Sequence, residues 1–321
     1  MEPRWNQAGS RRYRRNLEAV KVKFKILISD KIADEGIKLL EEKCCQVTKA
    51  WDMPKTELQN TIGEYDAIIV RSATKITADL IVKAKKLKVI GRAGDGVDNI
   101  DLKKAAERRI TVLNTPKVSA TSVAELTIAH LLALARNVVE GTVTLREGKW
   151  VKEELTGVEV HGKTIGIIGC GNIGKEVEKL ASAIGMKTLG VDVCVGRGPV
   201  PLEQMLPNAD FITIHVPLEP HTKHMLSNRE FNLMKNGVMI IDCSRGGIVD
   251  QEALYQALKS GKVKAAAVDV FEEEPPKNSK LLTLKNVYAT PHMGAQTREA
   301  QIETSIKIAE RVIEVLEQVA S

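Results

Sequence analysis

The sequence predicts an α/β protein built from two doubly wound, parallel-sheet domains. Short apolar runs rich in β-branched residues alternate along the chain with segments of helical periodicity, which is the pattern of βαβ units. One of these runs leads through a glycine-rich turn directly into a helical segment, as in doubly wound sheets that bind nucleotides. With 321 residues, the chain is long enough for each domain to bury its own core.

Residues 163–192 carry the most specific pattern. The apolar run Thr164–Ile168 predicts a buried strand, residues 169–174 read GCGNIG, and residues 175–184 have helical spacing. Asp192 ends the next predicted strand, eighteen residues after the last glycine of the turn. A strand, a GxGxxG turn, a helix and a later acid together form the dinucleotide fingerprint of a Rossmann-type domain.

We expect this fingerprint to bind NAD. Gly169 allows a tight turn, Gly171 lets the backbone approach a pyrophosphate, and Gly174 lets the helix pack on the strand. The helix N-terminus supplies N–H groups and the positive end of a dipole for the phosphates. Asp192 would accept hydrogen bonds from the adenosine ribose and repel a 2′-phosphate, which favours NAD over NADP.

Composition and charge argue against two kinds of partner. No run approaches eighteen uninterrupted apolar residues, so we expect no membrane span. Residues 1–23 hold five arginines and two lysines against Glu2 and Glu18, a net charge of +5 out of +6 for the chain. Because the rest is nearly neutral, we expect no nucleic-acid binding. The basic head, residues 1–22, is expected to be disordered, with an organelle transit peptide as the alternative.

The cysteines indicate a reducing compartment. Their number is odd and no two of them have CxxC spacing: Cys44, Cys45, Cys170, Cys194 and Cys243. This pattern favours reduced thiols of a cytoplasmic protein over a disulfide framework or a zinc site, and we expect no metal.

The first hundred residues predict a flavodoxin-like substrate domain. Strands are expected at residues 23–29, 67–70, 88–90 and 111–113, with helices at 33–42 and 101–108. No GxGxxG occurs there, so this domain does not hold the cofactor. Polar residues follow two of its strands, at Arg71-Ser72 and after Arg92, where open parallel sheets bind ligands.

Two long helices are expected to frame the domain boundaries. Ser122 and Glu125 predict a capping box that opens an almost entirely apolar helix, Val123–Val138. His130 lies within this helix, and we interpret it as a packed core residue and not as a ligand-binding residue. A final helix, residues 298–317, is expected to pack back on the first domain. The substrate domain is predicted to span 23–117 and 295–321, the NAD domain 118–294, with a hinged cleft that closes over substrate.

Four more strands are expected after Asp192, at residues 211–214, 238–241, 265–268 and 287–289. With the two strands of the fingerprint they make a sheet of at least six. Each ends on polar residues, which should converge where a nicotinamide would lie. They are His215, the run Asp242 to Arg245, Asp269 and the run Thr290 to His292.

Two of these residues, together with Glu274, suit hydride transfer from an alcohol, which needs a proton acceptor, a group that tunes it and a cation. Arg245 lies in SRGG and can fork onto a carboxylate. His292 carries the side chain that most often serves as a general acid or base, and Glu274, held against a Pro-Pro corner, could fix its tautomer. His215 is the rival base, and we rank it below His292.

Seven motifs carry a resemblance to a known family, and it covers residues 24–317. They are VRSATKIT at 70–77, GRAGDGVDNIDL at 91–102, NTP with SVAEL at 114–126, GCGNIG at 169–174, CSRGGIVD at 243–250, DVFEEEP at 269–275 and PHMGAQT at 291–297. The sequence resembles the D-isomer-specific 2-hydroxyacid dehydrogenases, and within them the branch that acts on 3-phospho-D-glycerate.

The resemblance implies NAD-dependent oxidation of 3-phospho-D-glycerate to 3-phosphooxypyruvate, the first step of serine biosynthesis. Arg245 would bind substrate, His292 would be the general acid/base and Glu274 its partner. It implies cofactor contacts at Gly169, Gly171, Asn172, Ile173, Gly174, Asp192, Cys243, Ser244, Asp269, His292, Gly294 and Ala295. Substrate contacts would come from Arg71, Ser72, Arg92, Ala93, Gly94 and Arg136, the last from a partner subunit. A homodimer or homotetramer, joined through the helix at residues 122–136, is expected.

The sequence departs from the family pattern at several places. Asp95 replaces a small or hydroxyl residue near the cofactor, Val216 replaces a threonine, and the stretch after Asp192 is shortened. The chain ends at Ser321, so we do not expect feedback inhibition by serine through a C-terminal regulatory domain.

Two alternatives stay open at this stage. One is the same chemistry on unphosphorylated acids such as glyoxylate, hydroxypyruvate or pyruvate, as in D-lactate-type relatives. The other is an NAD-sensing scaffold similar to the corepressors of the same superfamily. The complete set of Arg245, Glu274 and His292 is compatible with these two alternatives as well as with oxidation of 3-phospho-D-glycerate.

Overall fold

The computed structural model describes residues 23–192 and 200–320. The chain forms two compact units. Among the described residues, unit 1 contains those up to Ala93, Asn99–Asn114 and those from Ser305 onward, and unit 2 contains Gly94–Asp98 and those between Thr115 and Thr304. The predicted disordered head and Cys194 lie outside the described residues.

Unit 1 is a five-stranded parallel sheet with the strand order β2-β1-β3-β4-β5. This is the flavodoxin-like order, and the predicted fold class is confirmed. The strands are β1 (Phe24–Ile28), β2 (Cys45–Lys49), β3 (Ala67–Val70), β4 (Val89–Arg92) and β5 (Thr111–Leu113). The helices are α1 (Asp34–Glu42), α2 (Lys55–Thr61), α3 (Ala78–Lys83) and α4 (Leu102–Glu107).

Three elements of unit 1 were not predicted because their sequences are polar or short. In β2 only Cys45 is buried, and in α2 only Leu58. The third, α3, is only six residues long. Elements this short and this exposed bury too few side chains to leave a periodic apolar signal in the sequence.

Unit 2 is a six-stranded parallel sheet with the order β11-β10-β9-β8-β6-β7. Its strands are β6 (Thr164–Ile168), β7 (Lys187–Val191), β8 (Phe211–Ile214), β9 (Val238–Asp242), β10 (Val263–Val268) and β11 (Val287–Ala289). Its helices are α5 (Ala120–Ala135), α6 (Val138–Arg146), α7 (Asn172–Ala183), α8 (Leu202–Met205), α9 (Asn228–Leu233) and α10 (Gln251–Lys259). The strand order reverses between β6 and β8, the position at which such sheets bind ligands.

The sheet of unit 2 is buried on both faces. All residues of β8 and β9 are buried, as expected of parallel strands covered by helices on each side. Neighbouring residues of β9 alternate between two cores: Ile240 packs with Phe231 and Leu254, whereas Ile241 packs with Leu131. The central strands are therefore fixed in register, and with them the residues that follow each strand end.

The predictions for α5 were wrong at both ends. The helix begins at Ala120, and Ser122 provides no cap: its hydroxyl lies 2.8 Å from that of Thr297. It ends at Ala135, and Asn137 just beyond it adopts a left-handed conformation with φ of 51°, which amide side chains tolerate. No single described helix has the length and apolar composition of a membrane span; α5 and α6 pass that test only as a pair bent by 64°.

The last helix, α11 (Arg298–Ala320), joins the core of unit 1 through its C-terminal part, as predicted. Ile308 and Val312 pack directly over Gly91 of β4. At the start of this part, the Ser305 hydroxyl accepts a hydrogen bond from the Ala33 N–H at 2.9 Å. Gly36 of α1 lies so close that a Cβ there would stand 2.5 Å from the Ser305 carbonyl oxygen.

This close approach gives a first prediction. Gly36→Ala should lower the free energy of unfolding by about 1–3 kcal/mol, because the added methyl group collides with backbone that cannot yield cheaply. Chemical unfolding in urea would measure it. Gly141→Ala, in α6 and with only ordinary contacts around its Cβ, is the matched control and should be neutral or stabilising by up to ~1 kcal/mol. Equal effects of both substitutions would contradict the proposed packing of α11 on α1.

Candidate active site

The glycine turn at the switch point has the geometry of a nucleotide loop. Gly169 has φ of 100°, a conformation that favours glycine. A Cβ on Gly174 would collide with the Gly169 carbonyl oxygen, so α7 lies directly on the end of β6. Apart from its chain neighbours, no described residue comes within 4 Å of where a Cβ on Gly171 would stand. The turn therefore leaves open backbone at the N-terminus of α7, where a pyrophosphate can bind.

Asp192 follows β7 and is half-buried beside this turn. Burial raises the pKa of the Cys170 thiol, and the nearby Asp192 carboxylate raises it further. Asp192 therefore lies next to the glycine turn, the position from which a carboxylate can accept hydrogen bonds from a ribose. These residues fit NAD. Residues 193–199, which carry most of the shortened stretch, lie outside the described part of the chain.

Asp269 organises the opposite side of the site. It follows β10 and is 1% exposed. Its Oδ1 accepts hydrogen bonds from the Thr290 hydroxyl at 2.6 Å and the Met293 N–H at 2.8 Å, and its Oδ2 from the Gly294 N–H at 2.8 Å. One buried carboxylate thus fixes the whole loop after β11.

His292 lies within that loop and is paired with an acid. Its Nδ1 is 2.7 Å from Oε2 of Glu274, and the two side chains are 35% and 36% exposed. The Phe271 N–H donates to the other carboxylate oxygen at 3.2 Å. Burial opposes ionisation of Glu274, but the bond to His292, the Phe271 N–H and Arg245 together hold its pKa below the ordinary value. The carboxylate is therefore ionised near neutral pH.

Arg245 lies close to this pair and is held at two of its nitrogens. Nε donates to Oδ2 of Asp98 at 2.8 Å, and Nη1 donates to the Ser244 carbonyl oxygen at 2.8 Å. A Cβ on Gly96 would collide with Nη2. The loop Gly94–Asp98 is therefore shaped around the guanidinium, whose flat fork is suited to a carboxylate.

His215, the rival base, is in a different environment. Its Nε2 lies 2.9 Å from the Thr213 hydroxyl, and Nδ1 is buried with no hydrogen-bond partner among the described residues. Burial lowers the pKa of His215 to about 3. Because none of the described carboxylates stabilises the protonated form of His215, this imidazole stays neutral at physiological pH. His292, which is paired with Glu274, is therefore better placed to take up a proton.

The side chains at the C-terminal end of β9, from Asp242 to Ser244, mainly stabilise the fold. Asp242 is buried, and burial raises its pKa to about 6, with Asp269 adding to the effect. It accepts hydrogen bonds from the N–H and hydroxyl of Ser244. Cys243 packs in the core with Ile241, and burial raises the pKa of its thiol.

The predicted substrate residues are divided between the units. Arg71, Ser72, Arg92 and Ala93 belong to unit 1, and Gly94 and Arg136 to unit 2. The Arg71 N–H donates to Oδ2 of the buried Asp30 at 2.6 Å, and the Arg71 carbonyl oxygen accepts from Asn99 at 2.8 Å. Arg92 ends β4 and donates to the Ala93 carbonyl oxygen at 3.2 Å. Arg136 is exposed at the C-terminus of α5.

Sequence reasoning missed Asp30 and Asp98. Asp30 follows β1 and ties down the loop after β3: besides Arg71, it accepts from the Thr74 hydroxyl at 2.6 Å. Its position after a strand is the same signal that identified Arg71. Asp98 lies in a glycine-rich stretch whose spacing alone does not reveal that it contacts Arg245, because the two are 147 residues apart.

Comparison with known proteins gives consistent matches. A family model described as D-isomer specific 2-hydroxyacid dehydrogenase, NAD binding domain, matches residues 128–294. The D-3-phosphoglycerate dehydrogenase of Methanocaldococcus jannaschii is 47% identical, over 91% of this chain and 57% of that protein. The hydroxypyruvate reductase of Thermotoga maritima is 46% identical, over 92% of this chain and 99% of that protein. The crystal structure of the TT0316 protein from Thermus thermophilus matches this chain with a TM-score of 0.85 and 35% sequence identity. The match covers 92% of this chain and 97% of that structure.

The two histidines give the second prediction. His292→Asn should reduce kcat by about 10²–10⁴-fold, as the loss of a general base does, while NADH affinity changes little. His215→Asn should keep most of the activity, because no acid of the described part of the chain is paired with that imidazole. Steady-state kinetics and NADH titration would measure both variants. If His215→Asn lost its activity and His292→Asn kept it, His215 and not His292 would be the general base.

Proposed function

The chain belongs to the D-isomer-specific 2-hydroxyacid dehydrogenase family, and from that membership we propose that it oxidises 3-phospho-D-glycerate to 3-phosphooxypyruvate with NAD. The observation that carries the chemistry is the 2.7 Å contact between His292 and Glu274, in a loop fixed by Asp269. This chain spans 57% of the length of its archaeal phosphoglycerate dehydrogenase relative. The reaction would be the first step of serine biosynthesis.

In this proposal His292 moves the proton. Its Nδ1 faces Glu274, so Nε2 is the nitrogen that takes the proton of the substrate C2 hydroxyl during oxidation. The Glu274 carboxylate fixes the ring orientation and stabilises the imidazolium that forms. The same proton returns to the carbonyl oxygen when the reaction runs in reverse.

Arg245 and Asp269 hold the two reactants in place. The guanidinium fork would bind the substrate carboxylate, with Asp98 and the Ser244 carbonyl oxygen keeping the plane oriented. Asp269 would accept a hydrogen bond from the nicotinamide carboxamide at Oδ2, which has one described donor, the Gly294 N–H. When bound, NAD supplies the acceptor for the C2 hydride.

Phosphate recognition is assigned to arginines of unit 1. Arg71 follows β3 on a loop anchored by Asp30 and Asn99, and burial lowers the pKa of its guanidinium while Asp30 opposes the shift. Arg92 ends the adjacent strand, since β3 and β4 pair in parallel with Val70 opposite Arg92. The two side chains thus leave neighbouring strand ends, which suits a dianionic phosphate. Arg136 would add a third cation from a partner subunit.

One observation favours a second candidate, the reduction of hydroxypyruvate. The Thermotoga maritima relative named for that activity is almost as similar as the archaeal phosphoglycerate dehydrogenase, and this chain matches 99% of its length. Both activities use the same carboxylate and proton-transfer residues. They differ in whether the substrate carries a phosphate. The two candidate functions are therefore distinguished by whether the arginines of unit 1 bind a phosphate.

A crossed comparison of substrates gives the third prediction. Arg92→Ala should lower kcat/KM for 3-phosphoglycerate by roughly 10- to 150-fold, since a charge-assisted hydrogen bond to an anion contributes about 1.5–3 kcal/mol. D-glycerate should be oxidised with little change by the same variant. Arg108→Ala, an exposed arginine that caps α4 in the same unit, is the matched control and should affect neither substrate.

Two outcomes would favour the second candidate instead. One is an equal loss of kcat/KM on both acids in Arg92→Ala, which would mean that Arg92 does not read the phosphate. The other is wild-type enzyme that prefers D-glycerate or hydroxypyruvate over their phosphorylated counterparts.

A further inference from the structure

A buried histidine of α5 is connected to the nicotinamide side of the site through a hydroxyl. His130 is 7% exposed, and its Nε2 lies 3.2 Å from the Thr290 hydroxyl oxygen. That hydroxyl donates to Oδ1 of Asp269 at 2.6 Å. None of the predicted catalytic roles uses His130, which the sequence indicated only as a packed core residue.

The hydrogen-bond directions follow from the number of protons available. A threonine hydroxyl carries one proton, and the short bond to the Asp269 carboxylate uses it. Thr290 can therefore only accept from His130, which places the histidine proton on Nε2. Burial lowers the pKa of His130, against the opposing effect of Asp269, which favours the neutral ring with its proton on Nε2. The three groups form one directed chain from His130 to Asp269.

We propose that His130 is a positioning residue for the nicotinamide end of NAD, acting through Thr290 on Asp269. This rests on the cofactor role given to Asp269 in the proposed function. Oδ1 receives the Thr290 hydroxyl and the Met293 N–H, whereas Oδ2 receives the Gly294 N–H and keeps a lone pair for the carboxamide. Because His130 polarises and orients the Thr290 hydroxyl, it fixes the rotation of the carboxylate and hence the direction of that lone pair.

The discriminating probe is ADP-ribose, which has the phosphates and both riboses of NAD but no nicotinamide. In His130→Leu and in Thr290→Val, NAD should bind roughly 3- to 10-fold more weakly, the effect of losing one neutral hydrogen bond. ADP-ribose should bind as in wild type. His130→Gln, which can place an N–H near the original Nε2, and Thr290→Ser, which keeps the hydroxyl, are the matched variants and should restore most of the NAD affinity.

Calorimetric titration of the full chain without substrate measures all of these affinities, so the result does not depend on which hydroxy acid is oxidised. The double variant His130→Leu/Thr290→Val should be no worse than Thr290→Val alone, because both substitutions break one chain. Equal weakening of NAD and ADP-ribose in His130→Leu would overturn the proposal and leave His130 a packing residue. Unchanged NAD affinity in both single variants, or additive losses in the double variant, would also overturn it.

Discussion

The active site depends on one buried carboxylate. Asp269 gathers a hydroxyl and two backbone N–H groups from the loop after β11, and it is buried where an unmatched charge would be costly. His292 sits inside that loop with φ of 51°, and its own N–H donates to the Asp269 carbonyl oxygen at 2.8 Å. This conformation, uncommon for a residue with a Cβ, is held by the bonds around it. It turns the imidazole toward Glu274.

The remaining groups of the site follow from the geometry of a parallel sheet. In unit 2, His215, Asp242, Asp269 and Thr290 lie at the ends of four strands whose central members are wholly buried. Burial makes the strands rigid and brings polar groups to one edge, where their environments then differ. The Nδ1 atom of His215 is buried and the ring has no acid partner among the described residues, whereas His292 is one-third exposed and bonded to Glu274. Although both histidines follow strands of the same sheet, the environment of His292 stabilises a protonated imidazole and that of His215 does not.

Much of this could be predicted from the sequence, and the failures have physical causes. The fingerprint turn was visible as a local motif, and the strands β6, β8, β9 and β10 were visible because buried strands leave apolar runs. The edge strands β7 and β11 have one buried residue each and were predicted from shorter β-rich runs. The polar strand β2 and the helix α2 left no such signal. The capping box at Ser122 failed because its hydroxyl bonds to Thr297, 175 residues away. Contacts at that separation, such as Asp98 with Arg245, depend on the assembled fold and on no local pattern.

The most direct test of the account is the pH dependence of kcat/KM in Glu274→Gln. In the oxidation direction, activity rises with pH as the general base loses its proton. Without the carboxylate that stabilises the imidazolium at 2.7 Å, the rising limb should move to lower pH, and kcat should fall while NADH affinity stays nearly unchanged. A rising limb at the same pH as in wild type would contradict the claim that Glu274 and His292 act as the proton-transfer pair.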